Sequence, residues 1–152
     1  MSRTSEATTQ RQEAMAVLAA APVSDLLRLW EESGLPDDAQ LLRGPETGLV
    51  TLRGRMGGGG VPFNFGEATV TRATVKLPDG EVGHAYALGR EPEKVRIAAI
   101  VDALRQRAEH ARVIEERILS PLREALAEAD ARKRAETAAT KVDFFTLVRG
   151  ED

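Results

Sequence analysis

The sequence predicts an α+β fold, in which a small antiparallel β-sheet is flanked by N-terminal helices and a long C-terminal helical pair. The spacing of apolar residues is helical at the start of the chain, shifts towards two from Gln40, and becomes helical again from Glu93. Helices and strands that occur in separate blocks, without regular alternation, are typical of α+β domains.

Two helices are expected before the sheet. The first begins near Glu6 and ends before Pro22, which interrupts its pattern. The second runs from Ser24, as its N-cap, to Ser33, and Gly34 is the residue type that commonly ends a helix.

The first predicted strand lies in residues 49–56. We expect it to place Val50, Leu52 and Met56 on one side and Arg53 and Arg55 on the other, since side chains alternate along a strand.

A predicted hairpin follows, with strands at 69–77 and 81–88 joined by a Pro-Asp-Gly turn at 78–80. Alternate residues on its second strand are small, namely Gly83, Ala85 and Ala87. A face of small residues lets another element approach closely, so we expect a helix to pack there.

The C-terminal helical pair is expected to divide at Ser120 and Pro121, which are typical of an N-cap and a first helical position. An extended tail, residues 141–152, follows it. The 152 residues fit one domain with one core. We expect residues 1–12 to form a flexible N-terminus and residues 13–152 to form the domain.

Composition excludes several classes of function. Cysteine is absent, which excludes disulfides, thiolate metal sites and a cysteine nucleophile. The net charge is −3, whereas nucleic-acid binders usually carry a basic excess, so no nucleic-acid partner is expected. No apolar run approaches the roughly 20 residues of a membrane span, and no signal-peptide pattern opens the chain. We therefore expect a cytoplasmic protein with no membrane partner.

Neither histidine indicates a catalytic or metal site. His84 shares its predicted strand face with apolar residues and is expected to be a hydrogen-bonded core residue, and His110 lies in a charged helix. No metal-ligand spacing is present, so no metal site is expected. The sequence shows no self-sufficient catalytic centre.

The run from Arg53 to Gly60 admits two interpretations. Successive glycines can direct backbone N–H groups into an anion-binding nest, and Arg53 and Arg55 stand beside them. The alternative is a loop whose glycines only permit a tight path. The run lacks the Lys-Ser/Thr ending of a P-loop, and the loop interpretation is favoured.

The tail carries apolar side chains on both faces of its predicted strand: Val142, Phe144 and Val148 on one, Phe145 and Leu147 on the other. Such a strand must be covered on both sides. It either enters its own core or docks onto another chain by adding to an open sheet edge, with Asp143 and Arg149 setting its register through charge pairing.

Three separated blocks of sequence carry a family resemblance. They are PETGLV (45–50) leading to RMGG (55–58), TRA (71–73) leading through LPDG (77–80) to Gly89 and Arg90, and VDFFTLVRG (142–150). In this order and spacing the chain resembles the PhnG family of the carbon–phosphorus lyase pathway.

The resemblance implies a non-autonomous subunit of the carbon–phosphorus lyase core complex. Such subunits act with PhnH, PhnI and PhnL to form α-D-ribose 1-methylphosphonate 5-triphosphate from ATP and methylphosphonate, and PhnJ then cleaves the carbon–phosphorus bond. The resemblance implies that PhnI carries the nucleosidase-like chemistry, so this chain is not expected to be catalytic alone. MgATP is then a substrate of the complex, and no cofactor is expected on this subunit.

The reaction gathers a triphosphate and a phosphonate at one centre, which favours arginines and oriented N–H groups nearby. The candidate substrate-binding residues are Arg53, Arg55, Gly57, Gly58, Arg72 and Arg90. The candidate partner-binding residues are Val142, Asp143, Phe144, Phe145, Leu147 and Arg149.

Two other roles stay open. The chain either supports assembly without contacting substrate, or it is a stand-alone nucleotide- or phosphate-binding module that uses the Arg/Gly-rich loop. The isolated chain is also a candidate homodimer, since apolar surface without its partner favours self-association.

Overall fold

The computed structural model describes residues 2–140, which form helices packed on one face of a three-stranded sheet. The tail predicted at 141–152 lies outside the described residues. The elements are α1 (Ser2–Ala20), α2 (Val23–Ser33), β1 (Gln40–Arg55), β2 (Pro62–Lys76), β3 (Val82–Leu88), α3 (Pro92–Leu104), α4 (Ala108–Ile114) and α5 (Ser120–Ala139). This arrangement confirms the predicted α+β class.

The N-terminal helix is longer than the sequence indicated. Residues 2–12, predicted to be a flexible N-terminus, lie within α1, and Arg11 joins this helix to α3 through an ion pair with Asp102. The second helix begins at Val23 without a side-chain cap, so the N-cap assigned to Ser24 was wrong. Its C-cap is confirmed, because Gly34 adopts the left-handed conformation with φ of 66°.

The sheet has the order β1-β2-β3 and is antiparallel throughout. The predicted turn between the last two strands is confirmed, and Gly80 takes a φ of 109° there. β1 and β2 are twice as long as β3, whose pairing with β2 ends at Val70 and Leu88. Beyond that pair, β1 and β2 continue alone as a two-stranded ribbon.

The predicted contact between the small-residue face and a helix is confirmed. Gly83, Ala85 and Ala87 are buried, and a Cβ built on Gly83 would lie 2.0 Å from the carbonyl oxygen of Ala99 in α3. Alternate residues of β2, namely Thr71, Ala73 and Val75, point to the same side and are buried. We call this side of the sheet the core face, because α3 covers it.

The register between β1 and β2 shifts near the end of the ribbon. Leu52 pairs with Gly66, whereas the next residue, Arg53, pairs with Asn64, so the extra residue at this bulge is Phe65 of β2. The alternation along β1 continues past the bulge: Leu52 and Gly54 are half-buried, and Arg53 and Arg55 are exposed. Leu52 and the two arginines therefore lie on opposite sides of β1, as expected from the sequence.

The C-terminal helices divide at a different place from the one predicted. The chain bends at residues 105–107, between α3 and α4, whereas it runs through Ser120 and Pro121 without a break. A hydrogen bond fixes the bend to the sheet, because Gln106 Nε2 donates to the carbonyl of Val82 in β3 at 2.7 Å. A π-helical turn at Glu115–Leu119 precedes Pro121, and such a widened turn tolerates the missing proline N–H.

The outer edge of β3 is partly occupied by side chains. The His84 N–H donates to Asp102 Oδ2 at 2.9 Å, and Gln106 takes the carbonyl of Val82. α1 lies beside this edge and, with the sheet, encloses a groove of about 870 Å³ that includes Met15, Ala85 and Leu88 in its lining.

Candidate functional site

The ribbon ends in the Arg/Gly-rich loop that the sequence singled out. β1 ends at Arg55, and a 3-10 turn over Met56–Gly58 follows, in which Gly57 takes a φ of 62°. That conformation favours glycine over any residue with a side chain.

The glycine loop is built as a tight turn and not as an open nest. The backbone N–H groups of Gly59 and Gly60 both donate to the carbonyl of Met56, the second at 3.1 Å. A Cβ on Gly60 would lie 2.8 Å from that same oxygen, so the close path requires glycine. Two of the four glycine N–H groups are therefore used within the loop, which supports the loop interpretation made from the sequence.

The body of the sheet holds Arg72 in an ion-pair network. Arg72 Nε donates to Glu46 Oε1 at 2.6 Å, and Arg43 Nε donates to the same oxygen at 2.7 Å. The hydrogen bond from Arg72 is the main cause that holds the pKa of Glu46 below its ordinary value. Arg72 already has an anionic partner within this chain.

Arg90 lies at the end of β3 nearest the ribbon. Two hydrogen bonds fix the preceding Gly89. Its N–H donates to the backbone carbonyl of Thr69 at 2.8 Å, and its carbonyl accepts from the buried hydroxyl of Thr71 at 2.7 Å. Within residues 2–140, no carboxylate lies at ion-pair distance from Arg53, Arg55 or Arg90.

The structure does not bring all the candidate arginines together. Arg53 pairs with Asn64, which is eight residues from Arg72 along β2, or about 27 Å in an extended strand. That distance is far longer than a triphosphate chain. The candidates therefore fall into a group at the ribbon tip (Arg53, Arg55, Gly57 and Gly58) and a group at the body of the sheet (Arg72 and Arg90).

Neither histidine has the surroundings of a catalytic group, and the expectation that His84 is a core residue was wrong. His84 is exposed on the uncovered side of the sheet and hydrogen-bonds Thr74 through Nδ1 at 3.1 Å, so it is not a core residue. His110 Nε2 lies 3.3 Å from Glu109. The described part of the chain contains no group of three or more potential metal-ligating His, Cys, Asp or Glu residues.

The sequence analysis missed one buried polar cluster. Asp102 lies on α3 with 2% of its side chain exposed, and Arg11 Nε and Nη2 donate to its two oxygens at 2.7 and 2.6 Å. The hydrogen bond to Asp102 raises the pKa of Arg11 above its ordinary value. The signal available in the sequence was a carboxylate inside an otherwise apolar stretch, Ile97 to Leu104.

Several of the exposed large apolar side chains lie on the ribbon and near its end: Leu49, Val50, Met56, Val61, Phe63 and Phe65. The two phenylalanine rings lie 6.2 Å apart between centroids, tilted by 59°. Contiguous exposed apolar side chains on a surface commonly mark contacts with other macromolecules. Across residues 2–140, no helix is long and apolar enough to cross a membrane.

A ribbon with exposed apolar side chains is typical of a surface that contacts other polypeptides. Residues 9–150 match the family described as phosphonate metabolism protein PhnG. The chain belongs to that family. It is also 52% identical over 143 residues to the α-D-ribose 1-methylphosphonate 5-triphosphate synthase subunit PhnG of Rhizobium meliloti (strain 1021). This match covers 94% of the chain and 91% of the relative.

Proposed function

We propose that this chain is the PhnG-type subunit of an α-D-ribose 1-methylphosphonate 5-triphosphate synthase, within a carbon–phosphorus lyase core complex. The observation that carries the proposal is the 52% identity to a protein named as that subunit, over 91% of its length. The complex forms the ribosyl triphosphate from MgATP and methylphosphonate and releases adenine.

The proposed partners are PhnH-, PhnI-, PhnJ- and PhnL-type subunits, and the proposed compartment is the cytoplasm. In this proposal PhnI carries the chemistry and the chain holds it competent. The tail residues Val142, Asp143, Phe144, Phe145, Leu147 and Arg149 contact a partner.

Substrate contact is proposed for the arginines that lack a carboxylate partner among residues 2–140. Arg53 and Arg55, with Gly57 and Gly58, present positive charge and backbone at the ribbon tip, and Arg90 does so at the end of β3. Arg72 is the weakest candidate, because Glu46 already accepts from it at 2.6 Å. Arginines that lie far apart on one chain are suited to a composite substrate site that a partner subunit completes.

Reconstitution tests the proposal. The chain is co-expressed with the partner subunits, and adenine release from MgATP and methylphosphonate is measured with and without it. We expect the chain alone to release no adenine, and the partners without it to lose most of their turnover. Full turnover in its absence contradicts the proposal.

The arginines are tested in the same assay. Arg55→Ala and Arg90→Ala complexes are expected to assemble but to lose at least about 10-fold in turnover, because each removes a charge-assisted contact. Arg112→Ala is the matched control, since that arginine is exposed and, among residues 2–140, forms an ion pair with Glu116 one helical turn away. Unchanged turnover in both test variants eliminates substrate contact and leaves an assembly role.

A further inference from the structure

We propose that Thr71 is a positioning residue for Arg90, and that it acts through the peptide group that joins Gly89 to Arg90. This role rests on the proposed function, in which Arg90 contacts an anionic group of the substrate. Arg90 is exposed at the end of β3, and no carboxylate among residues 2–140 lies at ion-pair distance from it. Its direction therefore depends on the backbone that carries it.

A buried hydroxyl holds the carbonyl of Gly89. Thr71 lies on the core face of β2 with 1% of its surface exposed, and its Oγ1 donates to the Gly89 carbonyl at 2.7 Å. A peptide group is planar, so the carbonyl of Gly89 and the N–H of Arg90 can only turn together. The hydrogen bond from Thr71 therefore sets the orientation of the backbone from which the Arg90 side chain extends.

Gly89 turns the chain out of the sheet directly after β3 ends at Leu88. Its φ of 94° lies in a region that residues with a side chain rarely adopt. The Gly89 N–H donates to the backbone carbonyl of Thr69 at 2.8 Å, so both backbone polar groups of this glycine have partners in β2. Glycine has more backbone freedom than any other residue, and these two bonds select one exit direction for Arg90.

A second threonine supports this hydrogen bond from β1. Thr47 Oγ1 lies 3.0 Å from Thr71 Oγ1. A threonine hydroxyl has one proton, and Thr71 donates its proton to the Gly89 carbonyl, so Thr47 is the donor in the pair of hydroxyls. The hydrogen bonds thus run in one direction, from β1 through β2 to the end of β3. A hydroxyl that accepts a hydrogen bond becomes a stronger donor, which tightens the hold on Gly89.

Packing alone does not account for a hydroxyl at this position. The other buried residues on the core face of β2, Ala73 and Val75, are apolar. A buried hydroxyl costs free energy unless it is hydrogen-bonded, and valine has nearly the same shape as threonine without that cost. What the hydroxyl of Thr71 adds is its bond to the carbonyl that precedes Arg90. A valine at this position would fill the same space and lose that bond.

The test measures kcat/KM for MgATP and for methylphosphonate in the reconstituted complex. Thr71→Val is expected to lower kcat/KM for at least one substrate by about 5-fold or more, whereas Thr71→Ser, which keeps the hydroxyl, stays within about 2-fold of the wild type. Thr74→Val is the matched control and also stays within about 2-fold, because it removes from the same strand a hydroxyl that pairs with His84. Assembly and unfolding midpoint are measured for every variant.

A double-variant cycle separates positioning from a purely structural role. Because Thr71 acts through Arg90, adding Thr71→Val to Arg90→Ala is expected to change kcat/KM by less than about 2-fold. Equal losses in both backgrounds overturn the positioning role, as does a Thr71→Val complex with a lower unfolding midpoint and unchanged kcat/KM. If Arg90→Ala keeps full turnover, the substrate contact of Arg90 and the role of Thr71 both fail. If Arg90→Ala loses turnover and Thr71→Val does not, only the role of Thr71 fails.

A second variant covers a Thr71→Val chain that fails to assemble. Thr47 is exposed, so Thr47→Val removes the supporting hydrogen bond without opening the core. We expect a loss of about 2-fold or more in kcat/KM in the wild-type background and no further loss in the Arg90→Ala background. An unchanged kcat/KM, or the same loss in both backgrounds, overturns the positioning role.

Discussion

Asp102 connects three elements that are distant along the chain. Its carboxylate lies on α3 and accepts hydrogen bonds from Arg11 of α1 and from the backbone of His84 in β3. A buried carboxylate is tolerated only when its oxygens are hydrogen-bonded, as they are here. The cluster fixes α1 to the sheet edge and contacts no residue proposed for substrate.

Asp102→Ala is therefore expected to destabilise the fold by about 2–4 kcal/mol, since it leaves the His84 N–H without its acceptor and Arg11 without its counter-charge. Urea unfolding followed by circular dichroism measures the change. Asp130→Ala is the control: Asp130 is exposed and pairs with Arg134 one turn away, so it is expected to cost less than about 0.5 kcal/mol. Equal effects contradict the buried-cluster account.

The contact between β3 and α3 is closer than side-chain packing alone permits. Gly83 faces Ala99 and Ala103, and its missing Cβ lets the helix backbone approach the strand. The same contact explains why the alternation of small residues predicted the position of a helix so well.

Gly83→Ala is expected to destabilise the protein by about 3 kcal/mol or more, because the added methyl group would overlap the Ala99 carbonyl and force the helix to move. Thermal unfolding measures the effect. Gly48→Ala is the matched control in the same sheet, since nothing lies within 4 Å of its Cβ position, and it is expected to be close to neutral. A stable Gly83→Ala protein would show that α3 lies further from the strand.

The hairpin turn is joined to the start of α4 by ion pairs. Arg107 Nε donates to Glu81 Oε1 at 2.8 Å, and Arg107 also pairs with Asp79. The hydrogen bond from Arg107 is the main cause that lowers the pKa of Glu81 from its ordinary value of 4.5. When folding lowers the pKa of a carboxyl group, its charged form stabilises the fold at every pH above the unfolded-state pKa. That stabilisation is lost as the pH falls through the lower, folded-state pKa.

Glu81→Gln is accordingly expected to be less stable than the wild type at pH 7, with the difference disappearing as the pH falls below 4.5. Urea midpoints measured from pH 7 down to pH 3 test this. Glu31→Gln, on the exposed side of α2, is the control and should show no such convergence. A difference that grows at low pH contradicts the assignment.

The sequence predicted the elements that depend on local pattern and missed those that depend on distant contacts. The Gly34 cap and the hairpin turn were predictable, because glycine conformation and strand period are local properties. The bend at 105–107 was not, since Gln106 and Arg107 are held by groups of the sheet more than 20 residues earlier. The register shift at Arg53 depends on β2 and left no trace in the alternation of β1. The division of the chain at residue 12 stays a prediction.

The whole molecule has an uneven surface. Its net charge is −3, yet its ribbon carries Arg53 and Arg55, which have no ion-pair partner among residues 2–140, together with exposed apolar side chains. The candidate site could be predicted only as a set of residues. Whether those residues lie together depends on strand lengths, and the about 27 Å of strand between the partner of Arg53 and Arg72 follows from a ribbon that the glycines at 57–60 did not reveal.

Truncation after Thr140 tests the role of the tail at this scale. We expect the shortened chain to keep its circular dichroism spectrum and melting temperature within a few degrees, and to lose co-purification with the partner subunits. Lys141→Ala serves as the control and should assemble normally. A shortened chain that unfolds shows instead that the tail belongs to its own core.

The outer edge of β3, partly hydrogen-bonded by side chains, matters for a subunit that is synthesised before it binds its partners. An open edge strand invites pairing with any extended chain, which leads to fibrous aggregates. Here the side chains of Asp102 and Gln106 hydrogen-bond the outward-facing N–H of His84 and carbonyl of Val82. Another strand must displace these side chains before it can pair with this part of β3. This part of the β3 edge is thereby protected against the addition of another strand before the subunit is assembled.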